Sequence, residues 1–170
     1  MRILGIDPGS NITGYAIIEI QNKKATAINY GCITIKNKEL PEKLATIHNS
    51  ISELIKQYCP AVLAIEQVFV GKNIQSALKL GQARGAAIAA AGQFALELYE
   101  YSPRNIKQAI VGYGAAEKGQ IQLMVRHLLG IKQAIPADAA DALAVALCHA
   151  HQPTWLKTQS LDSACAGTEK

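Results

Sequence analysis

Four acidic residues stand where a carboxylate is either costly or purposeful. Asp7 ends the apolar run Ile3 to Ile6, and Glu66 ends the apolar run Ala61 to Ile65. Asp138 and Asp141 lie three apart at the start of PADAADALAVALCHAH, which places them on one face of the first turn of a helix. A carboxylate at the end of a buried strand is unfavourable unless a metal ion or a hydrogen-bond network compensates it. Each acid has an ordinary explanation: an Asx-turn before Pro8-Gly9 for Asp7, and the helix dipole for Asp138 and Asp141. The joint pattern has no equally simple one. Four clustered carboxylates repel one another strongly unless divalent cations bind there. Oxygen ligands without nearby His or Cys select hard ions, Mg²⁺ or Mn²⁺. Two such ions about 3.5–4 Å apart activate a water and stabilise the leaving oxygen of a phosphodiester. Flanking lysines and arginines would then hold the nucleic acid, and the chemistry is that of a metal-dependent nuclease.

The elements needed to bring the four acids together can be read along the chain. The segment RILGIDPGSNITGYAII reads as a strand, a Pro-Gly-Ser-Asn turn and a second apolar strand from Thr13 to Ile20. Ala25 to Ile35 reads as a third strand, entered by the turn Gln21 to Lys24, so that the three form an antiparallel meander. Leu40 to Tyr58 changes to helical period, with Pro41 in its first turn and Pro60 as its stop. Ala61 to Ile65 is a strand buried on both faces, and Ile74 to Phe94 is a long helix rich in Ala and Gly. Leu96 to Tyr101 is a fifth strand. Ser102 and Pro103 open a helix as cap and first-turn proline. Ala116 to Leu129 is another, stopped by Gly130, and Pro136 opens the last, which runs to about His151. The expected fold is α/β: a five-stranded mixed sheet, made of an antiparallel meander plus two helix-linked parallel strands, flanked by helices. Strand one is central, with the Glu66 strand parallel beside it. The last helix, packed through Leu143 and Leu147, would carry Asp138 and Asp141 over the ends of both.

A chain of 170 residues with 49% hydrophobic and 18% charged residues is long and apolar enough for one folded domain. That domain is read as residues 1–152, with residues 153–170 as a flexible tail of small and polar residues around Trp155. No apolar run approaches the roughly 20 residues of a membrane helix. Asp7 interrupts the only early apolar stretch, so no signal-peptide pattern is expected and the protein is placed in the cytoplasm. Cys32, Cys59, Cys148 and Cys165 have no close-spaced pairs. Three of the four sit among apolar residues and read as reduced core thiols. His149 and His151, two apart on a helix, point in different directions and read as surface or dipole partners rather than a metal pair. Between Gln67 and Lys132 eight basic residues face three acidic ones, a footprint that suits a polyanion.

The motifs GIDPGSNITGYAII, AIEQVFV with KNIQSALKLGQARG, and PADAADALAVA, in that order, resemble those of the RuvC family, the bacterial Holliday-junction resolvases of RNase H-like fold. The resemblance runs from about Arg2 to His151. It implies Asp7, Glu66, Asp138 and Asp141 as a catalytic tetrad holding two Mg²⁺ ions per subunit, with Mn²⁺ able to substitute. In that picture Asp7 bridges the two ions, Glu66 holds one, and Asp141 with Asp138 holds the other. It implies that Phe69 inserts at the junction and that Lys107 and Lys118 contact DNA near the scissile phosphate. It further implies a homodimer acting on four-way junction DNA by paired symmetric nicks, in recombination and repair, beside the RuvA–RuvB branch-migration complex. The Ala/Gly-rich helix around Gly85 to Gly92 is the expected dimer face. Three other readings compete. An actin-like or sugar-kinase-like ATPase would need a second duplicated domain that 170 residues cannot supply. An RNase H-like nuclease acting on RNA–DNA hybrids has the same carboxylates. A junction-binding protein without catalysis would not need all four.

Overall fold

The computed structural model describes residues 1–68 and 73–152. Phe69 and the tail from residue 153 lie outside the described residues. The chain order is β1 (Arg2–Asp7), β2 (Ile12–Gln21), β3 (Lys24–Thr34), α1 (Leu40–Tyr58), β4 (Val62–Glu66), α2 (Ile74–Gln93), β5 (Glu97–Tyr101), α3 (Pro103–Val111), α4 (Lys118–Leu129) and α5 (Ala137–Ala150). The five strands form one sheet in the order β3-β2-β1-β4-β5. β1 is antiparallel to β2 and β2 to β3, whereas β1, β4 and β5 run parallel. This is the mixed sheet expected, with β1 at its centre.

Local chemistry accounts for the ends of the elements. The β2–β3 hairpin turns on Asn22 and Lys23, both at positive φ (49° and 64°), the backbone that a two-residue loop needs to match strand twist. Pro41 lies in the first turn of α1, and Cys59 ends it in the left-handed region just before Pro60. The Ser102 side chain accepts a hydrogen bond from the Asn105 N–H at 3.1 Å and opens α3 at Pro103. α4 starts two residues later than expected, at Lys118, because Glu117 and Gln120 form a reciprocal capping box there. Gly130 at φ 65° closes it.

Alternation along the strands sorts the core into two layers. Leu4, Ile6, Ile17, Leu63 and Ile65 pack on α1 and α2 through Ile47, Ile51, Ala83 and Ala87. Ile3, Ala16, Ile18, Val62 and Ala64 pack on the other face against Leu143, Val145 and Leu147 of α5, with Ile106 of α3 and Val125 of α4 outside it. α5 is buried on nearly every side, which corrects the surface position expected for His149: its ring is only 2% exposed. The Tyr101 hydroxyl is hydrogen-bonded to His149 Nδ1 at 2.6 Å, and the His149 and Tyr99 rings lie 4.4 Å apart. His151 is exposed, as expected, within 3.3 Å of the Ala109 carbonyl. The reading of the cysteines as core thiols holds for Cys148, but Cys32 is half-buried and Cys59 is exposed. Cys59 takes the capping position at the end of a surface helix, which no apolar neighbour in sequence could reveal.

Candidate active site

Strand register sets the first half of the site. Ile6 pairs with Ile65 across the parallel β1–β4 ladder, so Asp7 and Glu66 leave adjacent strands one step later. Asp7 has the parity of Ile3 and Gly5, and Glu66 that of Val62 and Ala64, so both carboxylates stand on the face that α5 covers. Asp7 is paired with Gly14 of β2, and Glu66 with Tyr101 of β5.

The second half depends on how closely α5 approaches the sheet. A Cβ at Gly14 would lie 2.0 Å from the Asp138 carbonyl oxygen, and one at Gly5 would lie 2.3 Å from that of Ala142. Both positions therefore admit only glycine, and the helix backbone rests directly on β1 and β2. The first turn of α5 is thereby lowered beside Asp7. Gly5 and Gly14 are positioning residues that sequence reading passed over. An isolated glycine within a strand pattern is the signal for such close approach.

The resulting electrostatics are those of a crowded anionic site. Asp7 is pushed up to about 8, first by burial and then by Glu66, Asp141 and Asp138, while Lys118 pulls it down. Glu66 is likewise raised by burial and by Asp141, against Lys118 and Lys107. Lys118 Nζ lies 2.6 Å from Asp141 Oδ2, and that hydrogen bond raises the lysine. Lys107 from α3 and Lys118 from α4 join Glu66 and Asp141 around a cleft of about 200 Å³, floored by Ile106 and Ala144. Cys32, opposite Gly14 on β3, also reaches the site. Burial and then Asp138 raise its thiol, and the Ala139 N–H faces it.

The fold thus gathers Asp7, Glu66, Asp138, Asp141, Lys107 and Lys118 at one end of the sheet. The donor set suits a hard cation: carboxylate oxygens only, one of them buried enough to hold a proton at neutral pH when no cation is near. Among the described residues no three His, Cys, Asp or Glu side chains form a finished cage for an ion, and the Lys118 ammonium is the cation that touches Asp141.

Residues 3–149 match the family model for crossover junction endodeoxyribonuclease RuvC. The chain belongs to the RuvC family. Relatives include the crossover junction endodeoxyribonucleases RuvC of Marinobacter nauticus, 54% identical over 88% of this chain and 85% of that one, and of Idiomarina loihiensis, 57% identical over 88% and 86%. Among solved structures, T. thermophilus RuvC in complex with a Holliday junction substrate superposes with a TM-score of 0.83 at 34% identity, covering 89% of this chain and 93% of that one. The RNase H-like architecture expected of a RuvC chain is the one observed, with the sheet order and the flanking helices in place.

Proposed function

We propose that this chain is a crossover junction endodeoxyribonuclease that resolves four-way DNA junctions by hydrolysing phosphodiesters. The observation that carries the reading is the convergence of four carboxylates and two lysines, in a chain of the RuvC family, at a single sheet end. Asp7, Glu66, Asp138 and Asp141 would hold two Mg²⁺ ions, and the open cleft beside them admits a phosphodiester. Bound there, such ions supply an activated water and charge compensation for the leaving oxygen.

The chain's own residues do the rest. Lys107 and Lys118 hold the non-bridging phosphate oxygens, and Lys118 exchanges its bond to Asp141 for one to the substrate. The floor of Ile106 and Ala144 limits water beneath the phosphate. Hydrolysis joins the water oxygen to phosphorus and breaks the bond to O3′, which departs protonated. The nick then carries a 5′-phosphate and a 3′-hydroxyl. Phe69, outside the described residues, is proposed to insert at the junction centre.

Paired nicks require two sites, so a homodimer is proposed. The open face of α2 is its surface: a Cβ at Gly81, Gly85 or Gly92 would meet nothing within 4 Å. The RuvA–RuvB motor is the proposed partner and the cytoplasm the proposed compartment. Among the described residues no helix is long and apolar enough to cross a membrane. Residues 1–152 are proposed as the whole resolvase domain.

Strand-specific nicking of a labelled mobile four-way junction tests the reading, with Mg²⁺ and with EDTA, beside linear duplex and RNA–DNA hybrid controls. Paired Mg²⁺-dependent nicks in opposite arms, confined to the junction, are expected. Preferential cutting of the hybrid would overturn the substrate assignment.

A further inference from the structure

A groove that the chemistry above does not use runs between the first halves of α1 and α2. It encloses about 510 Å³ and is lined by Ser10, Lys38, Leu40, Lys43, Leu78 and Lys79, with Glu39 its one acid. Ser10 belongs to the turn that leaves Asp7. Three residues of extended chain span at most about 10 Å, so the Ser10 rim of the groove lies within about three nucleotides of helical rise of that carboxylate. Its basic groups differ in availability. Lys38 is paired with Glu42, and Arg84, further along α2, is paired with Glu100. Among the described residues no carboxylate pairs with Lys43 or Lys79. Leu40 and Leu78 lie exposed beside them, at 45% and 62%.

We infer that this groove is a second backbone-binding track, which takes the phosphates of the junction arm leaving the active site over Ser10. The inference rests on the resolvase reading and extends it beyond the scissile phosphate. Two unpaired ammonium groups in an open channel suit a flexible, repeating anion, because each neutralised phosphate releases condensed counterions and needs no buried geometry. A small metabolite would call for convergent polar groups in an enclosed pocket, which these residues do not form. The exposed Leu40 offers apolar surface to a sugar face between phosphates.

The test is the salt dependence of junction binding in EDTA, where no strand is cut. Each of Lys43→Ala and Lys79→Ala should lower the slope of log K against log salt by about one per protomer, about two for the dimer, and the double variant by about four. Lys43→Arg and Lys79→Arg should restore it. Lys23→Ala and Lys24→Ala, at the β2–β3 turn on the opposite end of the sheet, should leave it unchanged. A wild-type slope in the double variant overturns the inference, as does an equal loss in the Lys23 and Lys24 controls. If the double variant keeps its slope but changes oligomeric state, the groove is a contact between copies of this chain and the DNA assignment is wrong. Failure of the wild type to bind the junction at all would overturn the resolvase reading and the inference with it, and that failure shows before any variant is made.

Discussion

Asp7 is held near 8 chiefly because it is buried, and only then because Glu66, Asp141 and Asp138 surround it. Without divalent cations the folded state keeps a proton that the unfolded chain, with a carboxyl near 3.8, has released. A raised folded pKa means that this group's favourable contribution is complete below about 3.8 and is lost as pH rises through 8. Asp7→Asn removes the ionisation. The metal-free variant should therefore melt above the wild type at pH 8, by about 2–4 °C per kcal/mol of relieved burial penalty and repulsion, with the gap closing towards pH 4. Calorimetry in EDTA across that range checks it. The same variant should lose nicking by on the order of 10³-fold or more, as when one member of a catalytic unit is removed, while still binding the junction. Retained cutting would refute a metal-holding role for Asp7. A residue that stabilises when neutralised and inactivates when replaced is one kept for its chemistry.

The element that assembles the site is α5, and its placement depends on two glycines as much as on its own apolar side chains. Gly14→Ala would drive a methyl group into the Asp138 carbonyl, where the contact is backbone and cannot swing aside. We expect a loss of about 1–3 kcal/mol in urea unfolding, the usual cost of overpacking. Nicking should fall further than that loss explains, because the first turn of α5 must lift away from Asp7. Activity measured well below the unfolding midpoint separates the two effects, and wild-type nicking by a destabilised variant would sink the positioning role. Much of this element's context was legible in sequence. Helix starts and stops at Pro41, Ser102-Pro103 and Gly130 are local events, decided within a turn by capping and by forbidden backbone conformations. α4 begins at Lys118 and not at Ala116 because Glu117 and Gln120 cap it reciprocally.

Across the whole molecule β1, β3, β4 and β5 point the same way, so α1, α2 and α3 all begin at the end of the sheet where Asp7 and Glu66 emerge. α5 begins there too, over Gly14. The N-termini of these four helices thus lie at the end of the sheet that carries the carboxylates. At the edge of the sheet, Tyr101 and His149 tie β5 to the last turn of α5. Burial holds His149 down at about 4 from an ordinary 6.5, and burial keeps Tyr101 protonated, so the hydroxyl donates to a neutral ring. A depressed folded pKa on a base makes the unfolded state the better proton acceptor below 6.5. The contribution of the neutral ring is complete above 6.5 and lost as pH falls towards 4. His149→Gln, which keeps an acceptor for Tyr101, should flatten the fall in unfolding free energy between pH 6.5 and 4. Urea titrations at pH 7, 5.5 and 4.5 would show it; an unchanged acid slope would mean that carboxylates alone set acid stability.

The sequence by itself determined the elements, their order and the four carboxylates, because alternation, helical period, caps and turn chemistry act over a few residues; Lys107 and Lys118 are marked only by the resemblance to the RuvC family. The β1–β4 register that puts Asp7 and Glu66 on one face came from the structure. Only the tertiary structure decided that α5 lies on Gly5 and Gly14, that Lys118 reaches Asp141, and that His149 is buried while Cys59 is not. Those outcomes depend on which elements pack together across separations from 23 residues (Lys118 to Asp141) to 137 residues (Gly5 to Ala142). Contacts of that span are selected by shape and burial summed over the whole core, and no single segment carries them.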